Sequence, residues 1–276
     1  MSERAVLITG ASKGIGRATA QVLDGRGFRV FAGVRSEADG ADLRKESNGR
    51  ITPVTLDVTD AAQVAGAARL IGQAVGAEGL YGLVNNAGMS ASAPLEFIPL
   101  DEFRRQIEVN LTGQLAVTQA VLPLIRAAKG RIVNISSVGG KIASAMLGPY
   151  HASKFGLEAI TDTLRMELAP WGIEVVAVEP GAIATPIWDT SIAAAERMIT
   201  PQMNELYGPL FERVRTFARG ASERGLPPER VAEVILQALT ARRPRTRYIV
   251  GTDARIAIQV ISRLPDRLRD RLMSSR

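Results

Sequence analysis

The 276-residue chain contains no cysteine and a single histidine, His151. A disulfide framework, a thiolate metal site and a cysteine nucleophile are thereby excluded. One histidine also argues against a His-rich zinc site and against a Ser-His-Asp triad. Aromatic residues are only 5% of the chain, and no recognisable nucleic-acid-binding module accompanies them, so nucleic acid is not an expected partner. No run approaches the ~18 consecutive apolar residues of a membrane span. The opening Met-Ser-Glu-Arg leads directly into the short apolar run Ala5–Ile8, too brief for the core of a secretory signal. A cytoplasmic protein is expected.

What remains is ordinary for a soluble globular protein: 46% apolar and 22% charged residues. A chain this long buries most of its unfolded surface and needs no staples. The net charge of +6 is uneven. Residues 212–276 hold 15 basic and 7 acidic side chains, a surplus of +8, whereas the first 211 hold 19 and 21, giving −2.

Short apolar runs alternate with helical patterns. Strands are expected at Ala5–Thr9, Phe28–Val34, Ile51–Leu56, Leu80–Val84, Arg131–Ile135, Glu174–Val178 and Arg247–Val250. Helices are expected at Ile15–Leu23, Ala38–Ser47, Ala61–Val75, Leu100–Ala128, Tyr150–Ala169 and Pro228–Thr240. This alternation implies an α/β fold, a parallel sheet with helices on both faces. Between Pro180-Gly181 and Pro228 the regularity breaks, with prolines at 186, 201 and 209. Loops of that length are commonly functional lids. The apolar residues Ile187, Trp188, Ile192, Met198, Ile199, Met203, Leu206, Tyr207 and Phe211 argue for a packed one over about 186–226. No repeat or linker divides the chain, so residues 1–276 are read as one domain, with a C-terminal extension over about 252–276.

Thr9-Gly-Ala-Ser-Lys-Gly-Ile-Gly16 joins the first strand to the first helix. Gly10, Gly14 and Gly16 allow tight turns and close approach of a pyrophosphate to the helix N-terminus, where free N–H groups and the helix dipole favour an anion. A turn serving packing alone is the alternative. The position between buried strand and helix favours a nucleotide. An NAD enzyme places an acid near the end of its second strand, on the ribose 2′-hydroxyl. Here that strand ends Gly33-Val34-Arg35-Ser36. Arg35 and Lys13 are free to fork onto a 2′-phosphate instead, which favours NADP(H) over NAD(H). Asp57, in Leu56-Asp-Val58, is placed to hold an adenine amino group or to cap the following helix.

The chain resembles the short-chain dehydrogenase/reductase family, of the NADP(H)-preferring type. The resemblance rests on the glycine motif, Asn85-Asn-Ala-Gly88, Asn110, Ser136-Ser137, Tyr150-His-Ala-Ser-Lys154 and Pro180-Gly181 with Thr185, in that order from Arg4 to about Thr185. It implies a doubly wound, mostly parallel seven-stranded Rossmann-like sheet. It also implies hydride transfer between a nicotinamide and an alcohol or carbonyl. The implied catalytic set is Asn110, Ser137, Tyr150 and Lys154. The implied cofactor contacts are Gly10, Ser12, Lys13, Gly14, Ile15 and Gly16 in the first turn and Arg35, Asp57 and Val58 beyond the next two strands. They continue with Asn86, Ala87 and Gly88, with Tyr150 and Lys154, and with Pro180, Gly181, Ile183 and Thr185 under the nicotinamide. No metal is required.

The chemistry is coherent at the level of side chains. Tyr150 and Lys154 are four apart and share a helix face. A lysine ammonium beside a phenol favours the phenolate, so Lys154 is expected to draw the Tyr150 pKa down towards the working pH. Ser137 is placed to donate to the substrate oxygen. By family analogy Asn110 supports a water chain to Lys154, and Lys154 holds the nicotinamide ribose. His151 lies about 100° around the helix from Tyr150 and is read as a surface or interface residue. Asn85 and Asn86 are read as turn-forming and cofactor-supporting.

The apolar lid favours a lipophilic carbonyl or secondary alcohol. Gly148–Phe155 and Arg245-Thr-Arg-Tyr248 are similar to hydroxysteroid and retinol dehydrogenase-like members. A 3-oxoacyl-carrier-protein reductase is the nearest competitor, disfavoured by the continuation past Val250; a non-catalytic NADP(H)-binding relative is the second. The extension, with six arginines among apolar residues, reads as a segment packed on the domain or covering the substrate mouth, in preference to one resting on an anionic membrane. Pro265 interrupts it. A homodimer or homotetramer through the helices at 100–128 and 150–169 is expected, as in relatives.

Overall fold

Val6 and Ile8 are fully buried on one face of a sheet, and Leu7, equally buried, on the other. A strand covered on both faces reads as an unbroken apolar run because neither side meets water. The computed structural model describes residues 4–274; the ends of the chain, including the last two residues of the extension, lie outside the described residues.

The elements follow in the order β1 (Ala5–Ile8), α1 (Gly14–Gly25), β2 (Arg29–Val34), α2 (Glu37–Lys45), β3 (Ile51–Thr55), α3 (Ala61–Val75), β4 (Gly82–Asn85), α4 (Leu100–Ile107), α5 (Gly113–Ala128), β5 (Arg131–Ile135), α6 (Gly148–Leu168), β6 (Glu174–Pro180), α7 (Ile187–Glu196), α8 (Pro201–Arg224), α9 (Pro228–Thr240), β7 (Arg247–Val250), α10 (Thr252–Gln259) and α11 (Asp266–Ser274). The seven strands form one sheet in the order β3-β2-β1-β4-β5-β6-β7. Every pairing is parallel, with Leu7 opposite Phe31 on one side and Leu83 on the other. The strand order reverses between β1 and β4. In a doubly wound sheet that is where a ligand crevice opens at the carboxyl edge.

One apolar layer joins Val6, Ile8 and Val30 to Leu23 of α1 and Ile235 and Leu239 of α9. The opposite layer joins Leu7, Phe31 and Leu83 to Ile71 of α3 and Val121 and Ile125 of α5.

Two stretches differ from the sequence expectation. The helix expected over 100–128 is interrupted by a π turn at Glu108–Thr112. There Gly113 passes so close to the Val58 carbonyl that a side chain would collide with it. Such bulges leave the apolar period nearly intact and are hidden from it. The stretch expected as loop between 186 and 226 is mostly the helices α7 and α8. Pro201 occupies the first helical position, where no N–H is needed, and the Thr200 hydroxyl caps it by accepting from the Met203 amide at 3.2 Å. Pro209 lies inside α8. Met203 and Phe211 pack against Ala93, Ile98 and Met146. Beyond β7, α10 and α11 are separated at Pro265, with Ala254 and Ile261 buried and Ile256, Val260 and Leu268 exposed. No helix among the described residues is long and apolar enough to cross a membrane.

Candidate active site

The loop after β1 is built around a hydroxyl. Thr9 Oγ1 accepts from the amides of Asn86 and Ala87, each at 2.9 Å, while Asn86 Nδ2 donates back to the carbonyls of Thr9 and Gly10 at 2.9 and 3.0 Å. The ends of β1 and β4 are thereby locked together. Gly10 has φ +63°, and a side chain there would strike Ala87. The start of α1 carries no side-chain cap and no acidic residue in its first turn. By contrast, α2 is capped by Ser36 and α3 by Asp60. An uncapped helix start behind a glycine turn is a fitting seat for a pyrophosphate. Thr185 lies against Gly14, so the turn after β6 meets this cradle.

At the other end, Arg35 and Lys13 are exposed, and neither is engaged in a hydrogen bond or ion pair among the described residues. Asp57 does not cap α3. It accepts from the Thr59 amide and hydroxyl at 3.0 and 2.7 Å, and Asp60 caps the helix. Partial burial works to raise the Asp57 pKa, but the Thr59 hydrogen bonds and the charges of Arg35 and Arg105 outweigh it and hold the carboxyl below its usual range. Val58 is buried beside it.

Asn110 comes from the π turn, Ser137 from just beyond β5, and Tyr150 and Lys154 from α6. Asn110, wholly buried in the π turn, accepts from the Met89 amide at 2.8 Å and donates to the Met89 carbonyl at 2.9 Å and to Ser153 Oγ at 3.0 Å. Its side chain thus ties the segment after Gly88 to α6. Asn85 donates to Thr118 and Asn134, a structural tie between β4 and its neighbours. Ser137, two residues beyond β5, caps the short turn Val138–Gly140 by accepting from the Gly139 amide at 3.0 Å. It also lies close enough to Tyr150 to favour the phenolate form. Lys154 is buried, donates to the Ile135 carbonyl at 2.8 Å, and stands 5.9 Å from the centre of the Tyr150 ring.

The pKa relationship differs from the expectation. Burial pushes the Tyr150 phenol up, with the Ser137 hydrogen bond opposing it. Burial also pushes Lys154 down to about 8, with the charge of Glu158 opposing it. A dry site penalises phenolate and ammonium alike, and burial is the largest cause of both shifts.

Beneath the site, the Pro180–Thr185 turn is held from several sides. Trp188 Nε1 donates to the Ile183 carbonyl at 2.7 Å, and the Ala182 amide donates to Asp253 Oδ2 at 2.8 Å. Neither Trp188 nor Asp253 was singled out as a site residue, because both contacts join segments distant in sequence or built by α7. His151 corrects the surface reading: it is buried, and its ring bonds Gly139 and Ser144. Farther back, Glu158 and Glu179 share Lys141 and Arg247. Burial, followed by the charge of Glu158, pushes Glu179 up to about 7 against the pull of Lys141 and Arg247.

A sequence profile described as short chain dehydrogenase matches residues 4–196. The chain is 39% identical over 282 residues to retinol dehydrogenase 5 of Mus musculus, covering 99% of this chain and 88% of that protein. It is 38% identical over 283 residues to 17-beta-hydroxysteroid dehydrogenase type 6 of Bos taurus, covering 99% and 89%. Among solved structures, a short chain dehydrogenase from Burkholderia cenocepacia J2315 in complex with NADP superposes with a TM-score of 0.76 at 27% identity, covering 99% of this chain and 98% of that one.

Proposed function

Because the chain belongs to the short-chain dehydrogenase family, it is a nicotinamide-dependent oxidoreductase of CH–OH and C=O groups, and we propose that it is NADP(H)-dependent and works on a lipophilic carbonyl or secondary alcohol of retinoid or steroid type. The observation that carries this reading is the gathering of Ser137, Tyr150 and Lys154, in a fold that also presents an uncapped, glycine-led start of α1. NADP(H) is supported by Arg35 at the end of β2, where an acid would select NAD(H), and by the uncommitted Lys13. The neighbouring structure with NADP bound agrees with it.

When bound, the nicotinamide supplies or takes the hydride. Ser137, close to Tyr150, is placed to donate to a substrate oxygen held beside the phenol. As a carbonyl becomes an alkoxide, the Tyr150 hydroxyl gives up its proton to that oxygen. A phenol pushed up by burial is protonated at neutral pH, which suits the site to reduction. Lys154 supplies a positive charge beneath the ring and an N–H for the cofactor ribose, while Asn110 keeps the segment after Gly88 fixed against α6. A lipophilic substrate is supported by the retinol and hydroxysteroid dehydrogenases to which the chain is similar. A homodimer through α4, α5 and α6 is supported by the exposed Leu100, Phe155 and Met166.

The test is NADPH and NADH consumption with retinoid, steroid, aromatic and acyl-thioester carbonyls, wild type beside Tyr150→Phe. NADPH-linked turnover of the retinoid or steroid carbonyls, abolished in the variant, is expected. Equal use of NADH, or turnover restricted to acyl thioesters, contradicts the reading.

A further inference from the structure

We propose that His151 is a positioning residue for proton transfer: it clasps the segment carrying Ser137 onto the helix that carries Tyr150. His151 Nε2 lies 3.0 Å from the Ser144 amide nitrogen and 3.1 Å from Ser144 Oγ, and Nδ1 lies 2.9 Å from the Gly139 carbonyl oxygen. A backbone amide only donates, so Nε2 must accept and carries no proton. The ring proton is therefore on Nδ1 and is given to Gly139. Burial lowers the imidazole pKa and keeps this neutral form.

Gly139 is the link to the chemistry. Its carbonyl is held by His151, and its amide donates to Ser137 Oγ. With that hydroxyl already accepting one bond, its own proton is left to point at Tyr150 or a substrate oxygen. A side chain at residue 139 would sit 3.0 Å from both His151 Nδ1 and a Tyr150 ring carbon, so anything larger than glycine there presses on the clasp. Ser144 fastens the far end of the segment. Both ends are thus gripped by the residue next to Tyr150, and a displacement of α6 carries Ser137 with it.

The inference rests on the roles of Ser137 and Tyr150 proposed above, and its test keeps the two apart. Because the chain has one histidine, the imidazole nitrogens of the untagged, 15N-labelled protein give one unambiguous set of signals. A protonated Nδ1 and a bare Nε2 are expected; the opposite tautomer overturns the proposal. His151→Asn keeps an N–H donor towards Gly139, whereas His151→Gln keeps an acceptor towards Ser144 only. Turnover with NADPH should stay within about threefold of wild type in the Asn variant and fall on the order of tenfold to a hundredfold in the Gln variant, with the KM for NADPH unchanged in both. Independently of turnover, ultraviolet difference titration of Tyr150, taken against Tyr150→Phe, should move up in His151→Gln and hold in His151→Asn. Equal turnover losses, a change confined to KM, or a Tyr150 titration that moves in neither variant overturns the positioning role. Full activity in Tyr150→Phe instead removes the reading it rests on, while the tautomer result stands by itself.

Discussion

Asp253, three residues beyond the last strand, accepts the Ala182 amide at 2.8 Å and so joins the start of α10 to the turn that follows β6. Gly181 and Gly251 make room for this carboxylate, since a side chain at either would run into it. The C-terminal segment is therefore part of the scaffold under the proposed nicotinamide site. Asp253→Ala should weaken NADPH binding about fivefold, the worth of one exposed hydrogen bond. Asp253→Asn, which keeps an acceptor oxygen, should bind like wild type. Fluorescence titration of NADPH decides it, and unchanged affinity in Asp253→Ala would mean that the Gly181–Val250 and Leu226 backbone bonds hold the turn unaided.

At the end of β2, Arg35 stands where an acid would favour a free ribose hydroxyl. Arg35→Asp should lower the ratio of kcat/KM for NADPH over NADH on the order of a hundredfold, through loss of a charge-assisted bond and gain of a hydroxyl acceptor. Steady-state kinetics with both cofactors provide the check. An unchanged ratio would assign phosphate selection elsewhere.

How much of this was legible beforehand follows from what each signal encodes. Buried parallel strands are apolar throughout, so Val6-Leu-Ile8 and Ile132-Val133 announced the sheet directly. The glycine turn and Tyr150/Lys154 are local in sequence and were readable as motifs. The π turn was hidden because one extra residue scarcely alters helical periodicity. The helices α7 and α8 are hidden because proline more often marks a loop, whereas Pro201 begins a helix. His151 was misplaced because the segment 139–144 folds over a helix face that would otherwise meet solvent. The Tyr150 and Lys154 shifts depend on depth of burial, which spacing does not encode.

Glu179 lies fully buried beside Glu158, with its pKa raised from 4.5 to about 7. The folded state thus binds this proton more tightly than the unfolded chain. Its contribution to stability is complete below about 4.5 and is lost as pH rises through about 7. Glu179→Gln removes that dependence. The melting temperature of the variant relative to wild type should therefore climb between these pH values. Parallel melting curves across the window would show that Lys141 and Arg247 keep Glu179 charged throughout.

The exposed Phe155 and Met166 on α6 offer the surface for the proposed dimer. Met166→Glu combined with Phe155→Glu should leave a folded monomer in gel filtration at micromolar concentration. A wild type that elutes as monomer under the same conditions contradicts the dimer.

The central claim is that Tyr150 passes the proton in an NADPH-linked carbonyl reduction. The most direct measurement is the pH profile of NADPH consumption with a retinoid or steroid ketone, in wild type and Tyr150→Phe. The account predicts a rate sustained through neutral pH and declining only on the alkaline side, because burial keeps the phenol protonated. The variant should bind NADPH normally and turn over at least about a hundredfold more slowly. A variant with wild-type turnover, or a wild-type rate that falls away below neutrality as though a phenolate were needed, would contradict it.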